Sequence, residues 1–399
     1  MRATRALVYV DRFRLNIRAV AARIGRRRIC VPVKADAYGH GALPLARAAL
    51  EAGADCLAVA LVQEGEELRQ GGVRAPILLF SQTLGEELED LVRADLCPLV
   101  WEGAYIDALG EAALRAGREL VVHLKLDTGM GRAGCPPEEA AALAGRVLSH
   151  RALRLGGVAT HLAVSDSPSP EDRAYTGAQL GRFRAAIQAI RDAGIDPGII
   201  HAANSGALCF HPDAWFDMVR PGILLYGYGP PGAAPNDTAP GGDSARSDTL
   251  RPPAIPVRPV MELHSQVAAV KLIRRGESVS YGRTWTAPED SLAALVPAGY
   301  ADGLRRGLSN NWQMGIGGRL YPVAGRICMD QCLLNLGRPG SGPPVSPGEE
   351  VVIFGEGAGP AAGSIAAAPG DAAAMAEKLG TIPYEITCGI SKRVPRVYL

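Results

Sequence analysis

The chain has 399 residues, 47% of them hydrophobic, which is enough for a large core and two domains. With 42 basic and 41 acidic residues the net charge is +1, so no basic excess points to nucleic acid or to an anionic membrane. No apolar run reaches the ~18 residues of a membrane span, and the eight scattered cysteines complete no zinc-type spacing. Met1–Val10 is too short and too arginine-rich for a signal peptide. A cytoplasmic protein with reduced cysteines and no bound metal is expected.

Arg5–Tyr9 reads as a strand, and Asp11 as the N-cap of a helix over Asp11–Ile24. Apolar runs then alternate with helical patterns. The runs end near Lys34 (ICVPVK), Val62 (CLAVALV), Ser81 (PILLFS), Trp101 (LCPLVW), Lys125 (ELVVHLK), His161 (LGGVATH), His201 (GIIH) and Arg220 (DMVR). Helical patterns fall at Leu43–Ala52, Glu64–Arg69, Pro137–Ser149 and Tyr175–Ala193. Eight strand-like runs separated by helices predict an α/β fold with an N-terminal (β/α)8 TIM-type barrel over residues 10–235. Residues 236–256, rich in Gly, Pro, Asp and Ser, read as a linker. Short runs at Pro259–Ile273, Leu292–Pro297, Leu320–Val323, Cys328–Leu336 and Glu350–Phe354 predict a mostly-β C-terminal domain over 257–399, which the strand in 1–9 could join. Residues 355–370 read as a surface loop.

A (β/α)8 barrel works at the C-terminal ends of its strands. Lys34, Lys125, His161, His201 and Arg220 stand at five of the eight predicted ends. Each alone is an ordinary surface or structural residue; together they converge on one mouth. The chain contains only five lysines, at 34, 125, 271, 378 and 392, so two of the five lie there. The loops after the last two runs carry Asn204-Ser205-Gly206 and Pro221-Gly222-Ile223. Their backbone N–H groups and hydroxyl suit a phosphate. A phosphate site facing a strand-end lysine suggests pyridoxal 5'-phosphate (PLP) held as a Schiff base. Gly129-Met130-Gly131-Arg132-Ala133-Gly134 matches G-x-G-x-x-G literally, but Cys135-Pro136-Pro137 interrupts before any helix, against a dinucleotide site.

The segment K-A-D-A-Y-G-H-G (34–41) resembles the PLP-lysine motif of the alanine racemases. The resemblance continues in order through H-L-K-L-D-T-G-M-G-R (123–132), A-T-H-L-A (159–163), H-A-A-N-S-G-A (201–207) and V-R-P-G-I-L-L-Y-G (219–227). It extends through V-S-Y-G-R-T-W (279–285), P-A-G-Y-A-D-G (297–303), A-G-R-I-C-M-D-Q (324–331), G-T-I-P-Y-E-I-T-C (380–388) and R-V-P-R-V-Y (393–398). It implies a homodimer with shared active sites that interconverts L- and D-alanine and supplies D-alanine for peptidoglycan. By position, Lys34 would bind PLP and act as one base, with Tyr281 of the partner subunit as the other. Tyr38, Asn204, Ser205, Gly222, Ile223 and Tyr384 would hold the cofactor, chiefly its phosphate. Arg220 would face the pyridine nitrogen, and His161 would neighbour Tyr281 and pass its influence to Arg220. Arg132, the backbone of Met329 of the partner subunit, and Tyr300 would meet substrate, and Tyr300, Arg326, Asp166 and Arg306 would line the access corridor. Lys125 falls where members of the family often carry a carbamylated lysine.

The chemistry agrees with these roles. Racemisation removes the Cα proton on one face and returns it on the other, so bases on both faces are the direct solution. Arginine stays protonated and cannot take a proton from the pyridine nitrogen. That leaves the ring a weaker electron sink and limits side reactions such as transamination. Asp36 replaces a frequent Asn, and Arg305 a frequent Pro; the stretches 230–256 and 355–370 look longer than usual. Three other readings stand beside alanine racemisation: a racemase of serine or another small amino acid, a barrel decarboxylase, and a non-catalytic PLP-binding protein. Arg220 argues against the decarboxylase, and the second domain carrying Tyr281 argues against the last.

Overall fold

The computed structural model describes residues 2–230, 255–356 and 368–399. The expected linker at 236–256 and loop at 355–370 fall largely on 231–254 and 357–367, outside the described residues. The chain divides into two units. One comprises Arg12–Ala37 and Ala42–Arg258, the other Met1–Asp11, Tyr38–Gly41 and Pro259–Leu399.

The first unit is the eight-stranded parallel barrel. Its strands are Arg28–Pro32, Cys56–Val59, Ile77–Leu79, Cys97–Val100, Leu120–Lys125, Leu153–Ala159, Ile199–His201 and Met218–Val219. The first seven strands pair consecutively in parallel, and the eighth pairs with the first. Between the seventh and eighth strands the ring is bridged by Asp217 N donating to Ile200 O at 3.0 Å and Arg220 N donating to Ala203 O at 2.8 Å. Strands covered on both faces read as continuous apolar runs, which is why the sequence shows them as blocks. Inside, Cys30, Cys56, Ala58, Leu78, Leu99, Ala159 and Met218 form one buried cluster. Gly157 has a steric reason: a Cβ there would come 2.6 Å from the His123 Nδ1 and 2.4 Å from Ile199 O. The glycine therefore makes room for an imidazole in the barrel interior.

Helices follow the strands as the patterns predict, most with earlier starts; the pattern at Pro137–Ser149 opens as a 3-10 turn and becomes α-helical only from Ala140. The first runs Val10–Ile24, so Asp11 sits within its first turn rather than capping it. Pro170–Asp192 begins at Pro170 because Ser169 Oγ accepts from Asp172 N at 3.1 Å, and proline suits the first helical position. Leu88–Arg93 and Gly103–Arg115 are helices the sequence reading left unassigned. No described helix is long and apolar enough to cross a membrane.

In the second unit, Arg5–Val8 pairs antiparallel with Met261–Gln266 and parallel with Arg396–Tyr398. They sit in a six-stranded sheet with Glu350–Phe354, Gln313–Ile316 and Arg319–Pro322. Ala269–Ile273, Ser291–Val296 and Cys332–Gly337 form a second sheet. The predicted run Pro259–Ile273 is thus two strands in two sheets, and Cys328–Leu336 yields a strand only from Cys332. Before it, Cys328 N donates to Gln331 O at 2.9 Å, closing a turn that turns Met329 outward. Two helices, Ala372–Leu379 and Pro383–Cys388, complete the described part.

Candidate active site

The first barrel strand ends at Pro32, and the chain enters a helical turn over Lys34–Gly39. This turn is left-handed. Ala35, Asp36, Ala37 and Tyr38 have φ of 51°, 54°, 51° and 54°, and Gly39 and Gly41 follow at 83° and 100°. Left-handed helix costs L-residues roughly 1–2 kcal/mol each, so four in a row persist only where other contacts impose them. Those contacts are present: Ala37 N donates to Val33 O at 2.8 Å, Ala35 N to Glu64 Oε1 at 2.6 Å, and Ala42 N to Asp36 Oδ1 at 2.7 Å. Gly39 is required by close approach, since a Cβ would lie 2.1 Å from Thr387 O. Lys34, half-buried, leads this strained turn.

Arg220, at the end of the eighth strand, is buried and heavily bonded. Its Nη1 donates to His201 Nδ1 at 2.6 Å, and its Nη2 donates to Thr160 O at 2.7 Å and Ala202 O at 3.1 Å. His201 Nε2 and His123 Nδ1 stand 2.8 Å apart. These bonds fix protons by elimination. Guanidinium only donates, so His201 Nδ1 accepts, His201 Nε2 carries the hydrogen, and His123 Nδ1 accepts it. Both rings are neutral. Burial first, then Arg220, pushes His123 down to about 4 and His201 well below its ordinary value. Arg220 itself is lowered by burial to about 10 and remains a cation at neutral pH. The hydrogen-bonded partner of Arg220 is therefore His201. His161 is linked to Arg220 through charge: burial first, then Arg220, Lys125, Arg132 and Lys34, depress its pKa strongly.

These three histidines make stability pH-dependent, and His211, also lowered chiefly by burial, acts in the same direction. Unfolded, each takes up a proton near pH 6.5; folded, His123 resists until about pH 4 and the other two also resist. The stabilisation is complete above pH 6.5 and is lost as pH falls, by up to ~1.4 kcal/mol per pH unit for each histidine. The calorimetric Tm should therefore drop steeply between pH 6.5 and pH 4, and the drop should shrink in His123→Phe. An equal slope in both proteins contradicts this.

On the fifth strand, Lys125 is buried, and burial first, then Arg220 and Arg132, pushes its pKa down to about 7. The glycine-rich run beyond it wraps a carboxylate of its own. Asp127 Oδ1 accepts from Gly129, Met130 and Gly131 N at 2.9, 2.8 and 3.1 Å, and Oδ2 accepts from Arg132 N at 3.1 Å. Burial raises the Asp127 pKa, but the four N–H groups outweigh it and the net shift is downward. Amides that would cradle a pyrophosphate in a dinucleotide fold are committed to Asp127, which also holds the Arg132 backbone. The Arg132 side chain is exposed.

After the seventh strand, Asn204 caps the turn Ser205–Phe210, its Oδ1 accepting from Ala207 N at 3.0 Å and from Ser165 Oγ at 2.8 Å. Ser205 Oγ accepts from Gly222 N at 3.0 Å and Leu224 N at 3.3 Å, tying the loops after strands seven and eight together. Among the described residues its own hydroxyl hydrogen meets no acceptor, which leaves it available to an anion. The N–H groups of Ser205, Gly206 and Ile223 open their helical turns, where no intrahelical acceptor exists. Gly206 lies against the Asp166 backbone, where a Cβ would come within 2.8 Å.

The second unit carries the remaining predicted residues. Tyr38 and Tyr384 are neighbours, with ring centroids 5.7 Å apart. Tyr281 is 71% exposed, on a turn with Ser280, Gly282 and Arg283 at φ of 62°, 71° and 51°. Ser280 Oγ donates to Arg326 O at 2.5 Å and braces that turn. Met329 and Tyr300 are exposed, and the two segments are joined by Tyr300 N donating to Cys328 O at 3.0 Å. Arg306 is exposed as well. An exposed aromatic on a strained, braced turn is a displayed group rather than a core residue.

His123, Thr160 and Glu64 are bonded to predicted site residues or their neighbours, and no motif in the sequence assigns them a role. A signal existed for His123: in ELVVHLK it lies two residues before Lys125, on the same face of the strand. Among the described residues, no group of three or more His, Cys, Asp or Glu side chains could hold a metal ion.

Residues 8–230 match the family description "Alanine racemase, N-terminal domain", and 260–398 match "Alanine racemase, C-terminal domain". The alanine racemase of Treponema denticola is 44% identical over 400 residues, covering 100% of this chain and 99% of that protein. The alanine racemase of Treponema pallidum is also 44% identical, over the full length of both. Among solved structures, the alanine racemase of the D-cycloserine producer Streptomyces lavendulae superimposes with a TM-score of 0.86 at 36% identity, covering 100% of this chain and 97% of that one. That of Streptomyces coelicolor gives 0.85 at 37%, covering 100% and 98%. The strand-end cations, the C-terminal β unit and these full-length matches lead to one conclusion: the chain belongs to the alanine racemase family, isomerases of amino acids.

Proposed function

We propose that this chain interconverts L- and D-alanine with PLP, using Lys34 as one base and Tyr281 of a second copy as the other. The observation that carries the reading is the bonding of Arg220. Three of its five N–H groups are spent on His201, Thr160 and Ala202, which leaves Nε–H and one Nη1 hydrogen among the described residues. A rigid, buried, permanently charged donor at the end of strand eight fits an acceptor such as a pyridine nitrogen. The Ser205 hydroxyl and the open N–H groups of Ser205, Gly206 and Ile223 fit a phosphate. When bound, PLP supplies an aldehyde that captures amines and a ring that accepts electron density from Cα.

The protein's part is to place protons. Lys34, leading a braced turn, presents its amine to one face of the substrate Cα. Tyr281, displayed on its own strained turn, serves the opposite face. The neutral His201 and His123 cannot donate a proton through Arg220, so the arginine stays a charge and not an acid. The exposed Arg132 side chain is the cation for the substrate carboxylate, and its backbone is held by Asp127. Lys125, near pKa 7, is partly a neutral amine at physiological pH. It can add carbon dioxide, forming an N–C bond and releasing one proton, and the resulting anion would pair with Arg132. The product reading is D-alanine for peptidoglycan.

The test is a racemisation assay of the purified protein with PLP, run on L-alanine beside L-serine. The reading expects D-alanine formation with kcat/KM well above that for serine. Faster turnover of serine would move the assignment to another small amino acid, and no turnover of either would end it.

A further inference from the structure

Glu64 joins two loops at the barrel mouth. It lies in Val62–Gln70, the helix after the second barrel strand. Its Oε2 accepts from Ala60 N at 2.8 Å and Leu61 N at 3.2 Å, which begins that helix. Its Oε1 reaches away from the helix and accepts from Ala35 N at 2.6 Å. Capping explains the first two bonds and not the third. The third falls on the amide directly after Lys34, at the first of four left-handed L-residues. A carboxylate is suited to this task because both of its oxygens only accept, and all three partners are N–H donors.

We propose that Glu64 is a positioning residue for Lys34: its carboxylate clamps the Ala35 amide into the left-handed turn and so sets the direction in which the lysine amine enters the barrel. The inference rests on Lys34 being the PLP-binding lysine. Without the clamp, Ala35 relaxes toward negative φ and the amine loses its fixed approach. Asp36, through Ala42 N, secures the turn further along, so the clamp and the Asp36 bond hold it at two points.

The experiment compares wild type with Glu64→Gln, Glu64→Asp and the double variant Glu64→Gln/Ala35→Gly, each reconstituted with PLP. Two quantities are read: the dissociation constant for PLP, and the rate at which borohydride fixes the cofactor to Lys34, located by peptide mass. Gln keeps the shape but turns an NH2 toward at least one donor. Asp keeps the charge near the helix start but falls short of Ala35. Both should weaken PLP binding and slow fixation about tenfold or more. Glycine adopts positive φ without strain, so Ala35→Gly should restore most of the loss in Glu64→Gln. A role confined to capping would not be rescued from position 35. Glu66→Gln, on the same helix and paired with Arg93, is the control and should leave both quantities unchanged. Unchanged fixation in the Glu64 variants, or no rescue by glycine, overturns the proposal. So does failure of all three variants to fold, which would make Glu64 a folding residue. If wild-type Lys34 is itself not labelled, the cofactor reading falls and this inference with it; a labelled wild type with unchanged variants overturns only the inference.

Discussion

Lys34→Ala is expected to lose racemisation by ~10⁴-fold or more while folding normally. Lys34 would serve both as the amine that holds PLP and as one of the two bases, and removing a group with two roles costs more than either alone. The side chain is half-buried at the barrel mouth and is not among the fully buried core residues, so thermal stability without cofactor should change little. Kinetics together with calorimetry check this. Near-wild-type activity, or a large loss of apo stability, contradicts it.

Tyr281→Phe tests the opposite face. Losing a positioned general base should lower kcat about 10²- to 10⁴-fold. The two enantiomers have equal free energy, so net racemisation must slow equally in both directions, and the asymmetry has to be sought elsewhere. It should appear in exchange of the Cα hydrogen with deuterated water. The enantiomer that presents its hydrogen to Lys34 should keep exchanging, and the other should stop. Mass spectrometry of recovered D- and L-alanine reads this directly. Equal exchange from both enantiomers would mean that one base serves both faces. Tyr281 is 71% exposed and Phe retains the ring, so the substitution leaves the fold intact.

The barrel was legible in the sequence because parallel strands buried on both faces appear as uninterrupted apolar blocks. Their ends mark the mouth, which is how Lys34, Lys125, His161, His201 and Arg220 could be singled out. The helices Leu88–Arg93 and Gly103–Arg115 went unassigned: the first is short, and the second begins at a glycine and has another within it. The left-handed turn was hidden for a stronger reason. Ala-Asp-Ala-Tyr carries no glycine, and local preference points to a right-handed turn. The other hand is accompanied by two bonds within the segment, Ala37 N to Val33 O and Ala42 N to Asp36 Oδ1, and by one from another helix, Ala35 N to Glu64 Oε1. Glu64 opens the helical pattern Glu64–Arg69, and nothing in that pattern points across to residue 35. The Arg220–His201–His123 chain was half legible. The strand ends gave the first two members; the third was marked only by its spacing, two residues before Lys125 on the same strand face. The literal G-x-G-x-x-G proved to be a nest for Asp127, a use that only the fold reveals.

The central claim is that one active site needs Lys34 of one copy and Tyr281 of another. Mixing Lys34→Ala and Tyr281→Phe chains tests it most directly. Each is nearly inactive alone. After subunit exchange, a mixed dimer contains one site with both bases and one with neither, so an equal mixture should recover about a quarter of wild-type activity per chain. An exchanged mixture, verified by native mass spectrometry, that remains as inactive as its parents would contradict the account.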